Sequence, residues 1–112
     1  MDRLRQRSNA PPDPPLEATR KFLLGYCVDE GTIQNIREDV RRMLAINPVT
    51  ITAGLAGIEG LLADPPAEGG TLLRLVVVEG GKVLIDNSDA GAQAWLEALA
   101  QMLREELAAS RR

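Results

Sequence analysis

The chain has 112 residues, a formal net charge of −3, 45% hydrophobic and 26% charged residues, one cysteine and no histidine. That length suits one domain around one core, and that balance of apolar and charged side chains excludes wholesale disorder and fibrous repeats. The missing imidazole excludes Ser-His-Asp and Cys-His nucleophilic sites, and with a single cysteine the usual tetrahedral zinc sites are excluded as well.

With one Trp, one Tyr and one Phe, the core must be built from Leu, Val, Ile, Ala and Met, a composition that favours helices. Cys27 has no partner for an internal disulfide, and the start MDRLRQRSNA has no apolar run resembling a secretory signal, so the expected compartment is the reducing cytoplasm. Apolar runs such as Leu75–Val78 fall far short of the roughly 20 residues of a membrane helix, so no membrane span is expected.

In chain order, residues 1–15 read as a flexible Arg/Pro-rich tail, because Arg3, Arg5 and Arg7 lead into PPDPP, which suits neither helix nor central strand. The remainder, 16–110, reads as a single helical domain. A first helix is expected through LEATRKFLLGYCV, with Asp13 as N-cap, Pro14 at the first helical position, and Leu16, Leu23, Tyr26 and Cys27 facing the core. VDEGT breaks it.

Thr32 caps a second helix in which Ile33, Ile36, Val40, Met43 and Leu44 recur at helical spacing, opposite Arg37, Glu38, Arg41 and Arg42. Glu38 and Arg42, four apart, are placed to pair. Asn47-Pro48 opens a third helix with a stripe of Ile51, Leu55, Ile58 and Leu62. Its interior Gly54, Gly57 and Gly60 each cost about 1 kcal/mol relative to alanine, a cost that close approach of another helix over Ala53, Gly57 and Gly60 would offset.

TLLRLVVVEGGKVLID is ambiguous. Three valines, Gly80-Gly81 and then Val83, Leu84 and Ile85 match a β-hairpin with a two-residue turn, whereas Thr71 to Glu79 also read as a short helix ending at the glycines. After it, Ser88 or Asp89 caps a last helix with Trp95, Leu96, Leu99, Met102, Leu103 and Leu107 on one side and Gln93, Glu97, Gln101 and Glu105 on the other. The expected fold is therefore mainly α, a compact bundle of four to five helices, with a short β-hairpin around residues 72–86 as the open question.

Charge is unevenly spread. Met1 to Lys21 holds five basic and three acidic residues, and the rest holds eight basic against thirteen acidic, or −5. A body of that sign repels nucleic acid and attracts a basic protein surface. Cys27, between Leu24 and Val28 in an apolar helix, reads as a core residue. GLAGIEG lacks the lysine and the preceding strand of a phosphate-binding loop.

The carboxylate pairs Asp29-Glu30, Glu38-Asp39, Asp86 with Asp89, and Glu105-Glu106 are sequence neighbours rather than groups opposed across a cleft. They read as solvated surface, with an acidic partner-binding patch as the functional alternative. No catalytic residue, cofactor or metal site is expected, and Asp29, Glu30, Glu38, Asp39, Asp86 and Asp89 are the candidate contacts.

FLLGYCVDE, the two helices after it, LLADPP and AWLEALAQMLREEL together resemble the small helical immunity proteins of bacterial contact-dependent growth inhibition systems, over roughly Phe22 to Leu107. The likeness rests on the aromatic segment and on the Trp95-Leu96 pair, and departs from the group at Cys27 and Val28. It implies a non-catalytic protein that binds and neutralises a cognate toxin, for which a basic nuclease-type domain suits the acidic body. The rival reading is a self-associating helical adaptor, a homodimer joined at Gly54, Gly57 and Gly60. An enzyme relying on carboxylates or Cys27, and a nucleic-acid binder using the arginine tail, are weaker alternatives.

Overall fold

Two adjacent prolines set where the first helix begins. Pro15 has no N–H to lose at the first helical position, so α1 spans Pro15–Tyr26 with Pro14 as its N-cap, one residue later than expected. Asp13 does not cap it: its carboxylate accepts a hydrogen bond from Lys21 Nζ at 2.7 Å. This computed structural model describes residues 13–28 and 30–111, so residues 1–12 of the expected tail and Asp29 lie outside the described residues.

Thr32 caps α2 (Ile33–Ile46) as expected, its Oγ1 accepting the Asn35 N–H at 3.2 Å. Ile36 and Val40 are fully buried, with Ile33, Met43 and Leu44 partly buried beside them. The expected Glu38–Arg42 pair is replaced by Arg42 with Asp39, one residue closer along the helix. Asn47 Oδ1 accepts the Val49 N–H at 3.0 Å, and α3 (Val49–Ala63) follows, with Pro48 in the N-cap position.

The glycines of α3 are used against α1. A Cβ on Gly57 would sit 2.6 Å from Ala18 Cβ, one on Gly60 would sit 3.0 Å from Pro15 Cγ, and one on Gly54 would overlap the Phe22 ring. The absence of three side chains thus brings the two helices into contact closer than any other residue permits. Phe22 stacks on Tyr26 with ring centroids 4.8 Å apart, and the Tyr26 hydroxyl is 2.9 Å from Thr50 Oγ1 across the same seam.

The hairpin expected around 72–86 is not formed. Thr71–Arg74 is a short helix, α4, that runs into a π-helical turn at Leu75–Glu79, and no strand occurs among the described residues. The physical reason is burial on a helical spacing: Leu72, Leu75 and Val76 share one face and enter the core, which a two-faced strand could not arrange. Asp89 ties this unit to the last helix, its carboxylate accepting the N–H groups of Gly70 at 2.6 Å and Leu73 at 2.9 Å.

Ser88 caps α5 (Asp89–Ser110) through the Gly91 N–H at 3.1 Å. Ala92, Leu96, Leu99, Ala100, Met102, Leu103 and Leu107 are buried, while Trp95, expected on the same side, is only partly covered. α5 packs on α2, α3 and α4, so one apolar cluster draws on every helix. Glu105 and Glu106 are not the solvated pair expected. Glu106 is 6% exposed and accepts hydrogen bonds from Arg37 and Arg41 of α2, and Glu105 accepts one from Arg37 at 3.1 Å. No helix among the described residues is long and apolar enough to cross a membrane.

Candidate protein-binding surface

The most unusual surface lies where the chain leaves the π-helical turn. Gly81 adopts φ +65°, a left-handed conformation that side chains other than glycine's rarely accept, and this turns the chain back over the end of α1. The Lys82 N–H returns to Val76 O at 3.2 Å, while Nζ donates to the carbonyls of Cys27 and Glu30. Lys82 is 5% exposed, so its aliphatic stem is packed and its head joins the Cys27 carbonyl at the end of α1 to the Glu30 carbonyl just beyond it.

From this anchor exposure alternates as far as Ile85, and the chain bends at Ile85 and Asp86. Lys82 is buried and Leu84 packs against the core, but Val83 is 98% exposed and Ile85 108%. Gly91, in the first turn of α5, lets the Asp86 backbone lie against the helix, since a Cβ there would overlap the Asp86 carbonyl. Between this segment and α5 runs an open groove of about 440 Å³, lined by Val83, Leu84, Ile85 and Asp86 on one side and Ala90, Gly91, Ala94 and Trp95 on the other.

Of the six acidic residues singled out in the sequence, Glu30 and Asp86 border this surface. Glu30 is held next to Lys82 through its carbonyl, and Asp86 closes the segment, exposed apart from a hydrogen bond from Ser88 Oγ at 2.7 Å. Glu38 and Asp39 lie on α2, the first exposed and the second paired with Arg42. Asp89 faces the start of α4, where the Gly70 N–H, and after it that of Leu73, holds its carboxyl below the usual range. Asp29 lies outside the described residues.

Sequence reasoning missed Val83, Ile85 and Gly91. Val83, Leu84 and Ile85 form an apolar run compatible with a hairpin arm or with chain that follows a short helix, and nothing local marks Gly91 as a contact point.

Other chemistry-bearing groups are occupied. Burial pushes the Cys27 thiol up to about 12 against an opposing effect of Lys82, so thiolate is scarce at neutral pH. Glu106 is held below the usual carboxylate range by its hydrogen bond from Arg41, which outweighs the effect of burial, with Arg37 assisting. A concavity of about 740 Å³ between α1 and α4 contains Arg20 and Glu79, which are paired with each other at 2.9 Å. Among the described residues no group of three or more Cys, Asp or Glu could hold a metal ion. No protein-family model matches the chain, and no curated protein or solved structure matches it.

Proposed function

We propose that this chain is an immunity-type protein that binds a cognate bacterial toxin domain and blocks it stoichiometrically, without catalysis. The observation that carries the binding part is the Val83–Ile85 ridge: two large apolar side chains held fully in solvent beside Trp95, on a segment anchored at both ends and bordered by Glu30 and Asp86. Exposed apolar side chains grouped beside charge are the mark of a protein contact rather than of a scattered surface. The carboxylates and the −5 balance beyond residue 21 suit a partner with a basic face. The toxin class comes from the resemblance of FLLGYCVDE and the Trp95-Leu96 helix to immunity proteins.

The self-associating adaptor was attached to Gly54, Gly57 and Gly60, and that row is covered by α1 of the same chain.

The test is co-expression with the variable C-terminal domain of a large secreted protein encoded next to this chain. The expected result is rescue of growth and a one-to-one complex, both lost on combining Val83→Asp, Ile85→Asp and Asp86→Lys. Growth arrest unrelieved by the wild-type chain, or a stable homodimer that ignores the toxin domain, would overturn the reading.

A further inference from the structure

The chain that carries the ridge closes onto the first turns of α5. It bends at Ile85 and Asp86, and the Asp86 carbonyl accepts the Ser88 N–H at 2.9 Å. The bend sets Asp86 against Gly91, where an added Cβ would come within 2.9 Å of the Asp86 Cβ. Trp95 follows Gly91 by four residues on the same face of α5, so one helical turn, roughly 5–6 Å, separates the carboxylate-bearing residue from the indole. Both line the groove of about 440 Å³, whose floor of Ala90, Gly91 and Ala94 is too small to fill it.

The charge of this groove is unmatched. Asp86 is the single ionisable side chain that lines it among the described residues. One of its oxygens accepts the Ser88 hydroxyl at 2.7 Å, and the carboxylate forms no salt bridge among the described residues. Lys82, the nearest basic residue along the chain, is committed to the carbonyls of Cys27 and Glu30. A carboxylate beside a shallow apolar floor and an indole suits a cation that is itself flat and weakly hydrated. A guanidinium pairs with a carboxylate through parallel N–H groups and stacks on an aromatic face, whereas an ammonium lacks the planar fork and holds its water more firmly.

We propose, resting on the reading of this chain as a binding protein, that the groove receives one arginine side chain of the partner. Its guanidinium meets Asp86, its flat stem and head pass over Ala94 and Trp95, and the partner's apolar residues on either side of it meet Val83 and Ile85. The arginine supplies the choice of partner and the ridge supplies the contact area. A second copy of this chain is disfavoured as the source, because the body of each copy carries the same negative balance.

The experiment uses the full 112-residue chain, isotopically labelled for NMR, titrated with acetylated and amidated Val-Arg-Val. Trp95 is the one tryptophan in the sequence, so its indole N–H is a single resolved reporter, read together with the amides of Gly91 and Ala94. The controls are the same peptide with lysine or with glutamate in place of arginine, and the chain carrying Asp86→Asn, which keeps an acceptor for Ser88 at an exposed position. The expected result is a saturable shift of the three signals, with affinity at least about threefold weaker for the lysine peptide, at least about fivefold weaker for Asp86→Asn, and no saturable shift with the glutamate peptide. Equal affinity for the lysine peptide would overturn the stacked guanidinium, and equal affinity in Asp86→Asn would overturn the carboxylate as its partner. Shifts of the same signals on concentrating the chain alone would overturn a foreign source of the arginine, and no shift with the arginine peptide would overturn the proposal outright. The growth-rescue test above stands apart from all of these, so the toxin-binding reading and the arginine site fail separately.

Discussion

At the α1–α3 seam three glycines let two helices meet with nothing between them, whereas at the turn before Lys82 two glycines let the chain escape the helical core and present its side chains to water. The same residue type therefore serves tight packing in one region and exposure in the other. In the first, Gly54, Gly57 and Gly60 are valuable for the volume they lack; in the second, Gly81 is valuable for a φ that other residues avoid. Substitutions at the seam should act on stability, and substitutions along the exposed segment should act on binding.

The largest expected effect is at the seam. Gly57→Val places a branched side chain against Ala18 and the Thr19 backbone and should lower the unfolding free energy by about 3 kcal/mol, read from urea denaturation midpoints. Its counterpart is Gly25→Ala, where an added methyl meets nothing within 4 Å and the helix should gain about 0.5–1 kcal/mol, so the sign reverses along one helix pair.

Next is the α2–α5 clamp. Glu106→Gln leaves Arg37 and Arg41 without their shared carboxylate and should cost about 2 kcal/mol, less than a fully buried pair because Arg41 is mostly in solvent. Its signature is in the pH dependence. Glu106, Glu105 and Asp89 are all held below their ordinary values in the folded state, so their stabilisation is complete above the ordinary carboxylate range of about 4 and is lost as pH falls through the lowered folded values. The wild-type protein should therefore lose stability on acidification in that window, and the Gln variant should show a shallower loss in an acid denaturation series.

An effect smaller than that of the clamp, and of opposite sign, is expected inside the seam. Thr19 is fully buried and its hydroxyl has no hydrogen-bond partner among the described residues, so the nearly isosteric Thr19→Val should stabilise the fold by about 1 kcal/mol. The smallest effect belongs to the exposed segment: Val83→Ser combined with Ile85→Ser should change thermal stability by less than about 0.5 kcal/mol. A marked destabilisation in that double variant would mean that the two side chains support the fold, and the surface would lose its claim to a binding role.

Much of the fold is legible in the sequence because its helices announce themselves locally. Thr32 and Ser88 cap where their side chains allow, and Ile36-Val40 and Leu96-Leu99-Leu103 repeat at helical intervals. Gly57 and Gly60 required a close neighbour, and α1 is that neighbour. What is not legible depends on partners distant along the chain. Three consecutive valines favour strand by local preference, yet Leu72, Leu75 and Val76 are drawn into a helix by the core they complete. Glu106 looks like any surface glutamate until Arg37 and Arg41, more than sixty residues earlier, are brought over it. For the surface, the acidic candidates include Glu30 and Asp86 beside it but gave no hint of the apolar ridge, because an apolar run reads as interior unless the helix supposed to cover it is known to be elsewhere.

Cys27 gives this arrangement a use in the laboratory. Its side chain is fully buried, and its carbonyl accepts a hydrogen bond from Lys82, at the root of the chain that carries the ridge. A thiol reagent can modify it only when the fold around it opens locally, so the rate of modification counts those openings without any introduced label. A molecule that grips the ridge and so steadies Lys82 on the Cys27 carbonyl should slow the chemistry in proportion to its occupancy, which makes the lone sulfur an occupancy gauge built into the native protein.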